Sequence, residues 1–256
     1  MRAYYDALGP QALAHRTRAV DGGHRSILDP GPSRAYFQQR KIESSLRLGE
    51  FEPGQQILEV GCAVGYYTFL LAEMGYRLTG VDLSSNSIDL AKHLGRELGF
   101  ENVVFAQGDF EALTDIPSNK FDGLISFSTI RYLPDPLAAL REARRIVRPG
   151  GRVVVDFPNR YCPWFRHLKT LCGVNEHIHD CQFSEREVRS LFEDAGMEVV
   201  ASRKILFTPT VTPTALLPVM RCVDKVAERI PGVRETAAII MCSGRVPEFP
   251  CAAATE

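Results

Sequence analysis

The chain is short of most features that mark a specialised scaffold or surface. No two of its seven cysteines (62, 162, 172, 181, 222, 242 and 251) form a C-x-x-C pair, and their number is odd. A disulfide framework or zinc ribbon is therefore disfavoured, no metal is expected, and reduced thiols in a cytoplasmic protein are the default. Charge of one sign is also missing. Thirty Lys+Arg face thirty-one Asp+Glu, a formal net charge of -1, which lacks the basic surplus of a nucleic-acid-binding domain. No apolar run approaches the roughly 20 residues needed to cross a bilayer. The most apolar late stretch, 205–220, is broken by prolines at 209, 213 and 218. Asp6, Arg16, Arg18 and Asp21 interrupt the start of the chain before any apolar leader can form. The expectation is a cytoplasmic protein without stable membrane insertion, monomeric or homodimeric.

What is present is ordinary globular material: 256 residues, 45% hydrophobic and 24% charged, enough for one large α/β domain. Residues 1–50 read as an N-terminal cap and a helix, with Ser33 as its N-cap. From residue 55 short β-branched runs alternate with helical ones. Strands are expected over 56–60, 77–82, 103–106, 121–127 and 152–157, with helices over 66–74, 84–98 and 136–147 between them and a turn over 148–151. Short strand–helix alternation argues for a parallel sheet covered on both faces. The rhythm fails over 159–183, a stretch rich in aromatics, His and Cys that reads as an insertion. It resumes with a helix capped by Ser184, a strand over 197–207, a lid-like segment over 208–235 and a last strand over 237–242. The core is thus 51–158, the C-terminal part 184–246, and the tail 247–256.

Glu59, Gly61 and Gly65 fall in the turn after the first strand, where backbone can approach a ligand and helix N–H groups point at it. Asp82 ends the next strand, twenty-one positions after Gly61. In open parallel sheets that is where an acid takes two ribose hydroxyls. The dinucleotide pattern G-x-G-x-x-G would need glycine at 63 and 66, but the chain has Ala63 and Tyr66. Glu59 would also repel a pyrophosphate and favour an aminoacyl cation. The acid in the turn argues against a nicotinamide dinucleotide and for an adenosyl cofactor without phosphates.

Six segments carry a family resemblance: 57–68, Gly80-Val-Asp-Leu-Ser84, Gln107-Gly-Asp-Phe110, Phe121-Asp-Gly-Leu-Ile-Ser-Phe127, Leu133-Pro-Asp-Pro136 and Val147-Arg-Pro-Gly-Gly-Arg-Val153. In order and spacing they resemble the motifs of class I S-adenosylmethionine-dependent methyltransferases, over roughly 35–157, with the final strands extending the likeness to about 246. The resemblance implies a Rossmann-like, seven-stranded, mostly parallel sheet with helices on both faces and an acceptor-side insertion. It implies S-adenosyl-L-methionine as methyl donor and S-adenosyl-L-homocysteine as product. Glu59, Gly61, Cys62 and Gly65 would hold the methionine part, and Asp82 the ribose, with Leu83 against adenine. Gly108, Asp109 and Phe110 would border the adenine, and Ser126 and Phe127 the methionine and the transferred methyl. The family often has glycine where this chain has Ala63, and Asp where it has Glu59.

Methyl transfer from a sulfonium needs an acceptor lone pair aligned with the methyl, and a general base when the acceptor is a weakly acidic hydroxyl. The insertion supplies His167, Glu176, His177, His179 and Asp180. His179, four residues before Phe183, best matches the acceptor-facing histidine of similar small-molecule enzymes, and His177 shares its side of an extended segment. Either could instead be a structural histidine bonded to backbone. Arg131, Tyr132 and Trp164 are the candidate acceptor contacts, although Trp164 could equally form the insertion's own core. Arg141, Arg144, Arg145 and Arg148 read as a solvated helix face near a C-terminus. The expected function is methylation of a hydroxyl oxygen on a partly apolar small molecule such as a quinone, polyketide or glycolipid. The alternatives are a non-catalytic S-adenosylmethionine-binding protein and a C- or N-methyltransferase.

Overall fold

The computed structural model describes residues 31–163 and 181–248. Trp164, His167, Glu176, His177, His179 and Asp180 lie outside the described residues. In chain order the elements are α1 (Pro32–Gly49), β1 (Gln56–Val60), α2 (Tyr66–Glu73), β2 (Arg77–Asp82), α3 (Ser85–Glu97), β3 (Val103–Gln107) and β4 (Phe121–Ser126). A 3-10 turn (Ile130–Tyr132) leads to α4 (Pro136–Ile146), β5 (Val147–Pro158), α5 (Glu185–Asp194), β6 (Glu198–Ile205), α6 (Leu217–Ala227) and β7 (Ile239–Arg245). Short 3-10 turns also flank α6.

All seven strands join one sheet in the order β3-β2-β1-β4-β5-β7-β6. The pairs from β3 through β5 are parallel, and β7 runs antiparallel to both neighbours. Each strand sends alternate residues to opposite faces. Val153 and Val155 therefore join Leu140, Ile146, Val188 and Phe192 on the side of α4 and α5. Val154 joins Ile42, Leu71 and Ile125 on the side of α1 and α2. Both faces are covered, so the strands read as near-continuous apolar runs. The strand order reverses between β1 and β4, which opens a crevice at their carboxyl ends.

Helix starts follow local chemistry. The Asp135 carboxylate accepts the N–H groups of Leu137 and Ala138, with Pro136 in the first turn of α4. Ser184 and Glu187 form a capping box on α5. Ser33 is not the cap of α1. Gly31 holds that position with φ 81°, Pro32 opens the helix, and the Ser33 hydroxyl donates instead to the Thr212 carbonyl at 2.5 Å. The expected turn at 148–151 is also revised. These residues belong to a β5 that begins at Val147, because Gly150 and Val246 continue the pairing with β7 beyond the regular ladder, while the β4 register slips between Phe121 and Gly123.

The arginine run on α4 is less solvated than its sequence implies. Arg145 donates to the carbonyls of Leu113 and Ile116, each at 2.8 Å, and Arg144 to that of Gly196. Arg148 pairs with Asp122, and Arg141 stays exposed. Those carbonyls end loops that lack their own ladders, and a guanidinium is the donor that satisfies several at once. Among the described residues no helix is long and apolar enough to cross a membrane.

Candidate active site

The turn after β1 is built from left-handed backbone. Gly61 has φ 80° and Gly65 φ 86°. A Cβ on Gly61 would lie 1.8 Å from the Thr129 hydroxyl oxygen, and one on Gly65 would lie 2.7 Å from the Phe105 ring. Ala63 shares the left-handed conformation at φ 48° despite its Cβ, a strain of about 1–2 kcal/mol. Asp82 holds that conformation. One of its carboxylate oxygens accepts the Ala63 N–H at 2.8 Å, and the other the Ser84 N–H at 2.9 Å. Asp82 thus braces the turn from the neighbouring strand.

Glu59, on β1, is 1% exposed. The Thr68 hydroxyl, one turn into α2, donates to its Oε2. Its Oε1 is buried with no hydrogen-bond partner among the described residues. Burial pushes the carboxyl up to about 7. The Thr68 hydrogen bond pulls it down, the Asp82 charge adds to the rise, and Lys41 opposes it. A buried acceptor left unpaired beside a strained turn is what a cationic ligand group would complete.

A second charged group lies across the strand ends. Lys41 of α1 is fully buried, and its Nζ pairs with Asp156 of β5 at 2.5 Å and donates to the Ser128 hydroxyl at 2.8 Å. Asp156 also accepts the Ser128 N–H at 2.5 Å. The rings of Phe37, Tyr67 and Phe127 surround the ammonium, with centroids 5.8, 5.5 and 5.1 Å away. The Tyr67 hydroxyl is pushed well above the ordinary phenol range by burial, then by the Asp156 and Glu59 charges. The ammonium and the carboxylate are both out of contact with solvent, enclosed by these rings.

The other expected residues divide by geometry. The Cys62 side chain turns inward with Val64, Phe69 and Ile88, and burial, then Glu59, pushes its thiol well up, so it offers a ligand no nucleophile. The Ser126 hydroxyl is spent on the Val60 carbonyl at 2.8 Å. Phe110 packs into the core beside Val60 and Val81. Leu83 is half-buried after β2, and Asp109 is exposed after β3, where its carboxylate accepts the Glu111 N–H. Gly108 ties this loop to β2 through its N–H to the Asp82 carbonyl. Phe127 stacks 4.4 Å from Tyr67. The Arg131 guanidinium lies over the Tyr132 ring, and the Arg131 carbonyl accepts the Cys181 N–H. The chain after the insertion therefore rejoins the described structure at the β4 end of the crevice.

Lys41, Asp156, Tyr67 and Ser128 were not anticipated as a group. The one signal was a lysine four residues after Phe37 and next to Ile42, on the side of α1 that the apolar spacing buries.

A Rossmann-like sheet with a glycine turn and two acids at its reversal point defines an adenosyl-cofactor-binding enzyme class. A family profile described as a methyltransferase domain matches residues 51–196. The chain belongs to that family and is a class I S-adenosylmethionine-dependent methyltransferase. It is 25% identical over 209 residues to a ubiquinone biosynthesis O-methyltransferase of Idiomarina loihiensis, covering 77% of this chain and 81% of that one. Among solved structures it resembles the complex of the Haloferax volcanii Trm112 methyltransferase activator with a methyltransferase. That likeness has a TM-score of 0.64 and 21% identity over 90% of this chain and 96% of that one. It also resembles the [4+2]-cyclase SpnF, with a TM-score of 0.60 and 20% identity over 82% and 81% of the two chains. The same fold therefore serves more than one chemistry, and the acceptor must be argued from the site.

Proposed function

We propose that the chain methylates a hydroxyl oxygen of a partly apolar small molecule. The observation that carries the cofactor half is the unpaired, buried Oε1 of Glu59 beside the glycine turn. Glu59 accepts from the cofactor's ammonium, and the backbone from Gly61 to Gly65 passes its methionine part. Asp82, held in place by two backbone N–H groups, accepts from the ribose hydroxyls. Leu83 and Asp109 flank the adenine, Asp109 accepting from its amino group. Cys62, Ser126 and Phe110 support this surface from beneath rather than through their side-chain polar atoms. S-adenosylmethionine supplies a methyl group on a sulfonium; the acceptor oxygen takes the carbon while the bonding pair stays on sulfur.

The acceptor half rests on Phe37, Tyr67 and Phe127 as an apolar wall and on Lys41 and Asp156 as its polar end. Lys41 acts from beneath, holding Ser128 and with it the loop after β4, and Arg131 and Tyr132 form the rim beside β4. The hydroxyl proton passes to a base, with His179, or His177, as the residue assigned to it and Trp164 as a contact over the acceptor. The Idiomarina relative, named for O-methylation in ubiquinone biosynthesis, supports an oxygen as the acceptor atom.

The test is a methyl-transfer assay with labelled cofactor and a panel of catechols, hydroxyquinones and aliphatic alcohols, analysed for the position of the new methyl. An O-methyl product that disappears in Glu59→Gln and falls with His179→Ala supports the reading. Transfer only to carbon or nitrogen, or cofactor binding without any transfer, overturns it.

A further inference from the structure

The segment over 209–234 carries a surface that the methyl-transfer site does not use. Its underside is anchored on α1. Asp224 is fully buried and accepts from the Tyr36 hydroxyl at 2.8 Å, the Phe207 and Thr208 N–H groups, and the Thr208 hydroxyl. Glu228 accepts from Arg40 at 2.6 Å. The outer side is different. Val219, Val223 and Val226 recur four and three residues apart and so share one side of α6, with Leu216 just before and Ile230 just after it, and all five are exposed, Val219 by 60% and Val226 by 56%. Arg221, Lys225 and Arg229 are exposed on the same segment, while Arg234 pairs with Glu235 just beyond it. Its two acids do not balance them. Asp224 and Glu228 are both spent on the underside.

A firmly anchored helix presenting an aliphatic stripe flanked by cations, with no exposed acid of its own to offset them, is the pattern of a helix lying in a lipid headgroup layer. We propose that this face docks the enzyme on an anionic bilayer surface. Charge decides among occupants. A second copy meeting it across a two-fold axis would set the same cations against each other, which opposes self-association. Anionic headgroups complement the cations and the acyl boundary accepts the aliphatic side chains, so both halves of the surface are satisfied together. Helix α1 joins this surface to the crevice, because Arg40 faces Glu228 while Lys41, the next residue, faces Asp156. Docking would thus present the crevice to a lipid-borne acceptor. That consequence rests on the function proposed above, whereas the docking does not.

The experiment is flotation of the full chain with vesicles of phosphatidylcholine, with and without phosphatidylglycerol, at low and high salt. Expected is binding to the anionic vesicles that weakens with salt. Val219→Asp/Val226→Asp should abolish it, and Lys225→Gln/Arg229→Gln should lower partitioning about 30-fold, about 1 kcal/mol for each cation removed. Thermal melting of both variants, and their methyl transfer to a water-soluble acceptor, should match the parent because the changed side chains are exposed. No binding, equal binding to neutral vesicles, or binding that survives Val219→Asp/Val226→Asp overturns the proposal. So does a concentration-dependent dimer that Val219→Asp dissolves, which would make a second copy the occupant. An enzyme that floats but transfers nothing keeps the docking and rejects the functional reading.

Discussion

Cofactor binding to this enzyme should release a proton, and Glu59 fixes the pH at which it does so. The carboxyl sits at about 7 because burial, with one oxygen left unpaired, outweighs its hydrogen bond from Thr68. An ammonium placed against Oε1 requires the ionised form and draws the carboxyl down. If only that form binds, about half of the protein is competent at about pH 7 and about 3% at about pH 5.5. Affinity should therefore fall about 16-fold over that interval, which is about 1.6 kcal/mol. The cofactor's own α-amine, with a pKa of about 7.7–8.0, stays largely protonated throughout and adds little. Isothermal titration in two buffers of different ionisation enthalpy reads the release directly: about one proton at about pH 5.5 and about half of one at about pH 7. The sign for the empty protein is opposite. A carboxyl raised from 4.5 to about 7 stabilises the fold below its unfolded value and loses that contribution as pH rises through 7, about 3 kcal/mol in all. The thermal shift produced by cofactor should accordingly grow from acid to neutral pH. Glu59→Gln should bind more than tenfold more weakly and show no such pH dependence. A flat affinity in the parent, with no proton released at acid pH, would refute the assignment of the ammonium to Glu59.

Three further outcomes follow from the same geometry. Lys41→Met leaves the Asp156 charge buried without its partner and should lower stability by about 3–5 kcal/mol in urea titration. Adding Asp156→Asn should recover much of this, because an amide oxygen still accepts the Ser128 N–H; no recovery would mean that packing, not charge, dominates there. Gly65→Ala forces a Cβ to within 2.7 Å of the Phe105 ring at φ 86°, and should cost about 2 kcal/mol or more of stability, read by thermal melting. Asp82→Ala frees the Ala63 and Ser84 N–H groups and removes the acceptor assigned to the ribose. Cofactor affinity should drop more than tenfold by calorimetry while the melting temperature changes far less, and an equal loss of both would make Asp82 chiefly structural.

The parallel core was legible because each of its signals is local. A β-branched run, a glycine turn and a capping residue lie within a few positions of one another, and each has a single cheap physical solution. Ser84 and Ser184 were readable as the starts of α3 and α5 for that reason. The misreadings fall where a distant partner decides. Ser33 has the right identity for a cap, but Gly31 and Pro32 already satisfy the start of α1, and the hydroxyl is drawn to Thr212, 179 residues away. Arg144 and Arg145 have the spacing of a solvated face, yet the carbonyls they satisfy belong to loops whose course no local pattern gives.

The crevice shows the same division between its two ends. The cofactor end is read from one turn and the strand beside it, so Glu59 and Asp82 could be put forward as its residues before any coordinates. The end proposed for the acceptor draws on α1, α2, β4 and β5, and Lys41 meets Asp156 across 115 positions. Helical spacing alone makes Lys41 an ordinary lysine on the edge of an apolar stripe. Only the fold reveals that it is fully buried among three rings, and that burial gives it meaning. A buried ion pair contributes little net stability compared with apolar residues of the same shape. Its presence beneath the carboxyl ends of β4 and β5 therefore calls for a reason other than holding the fold together, and fixing Ser128 and the loop after β4 beside the crevice supplies one. Stability and turnover separate the two explanations: if Lys41→Met/Asp156→Leu folds as stably as the parent but transfers methyl groups far more slowly, the pair serves the reaction.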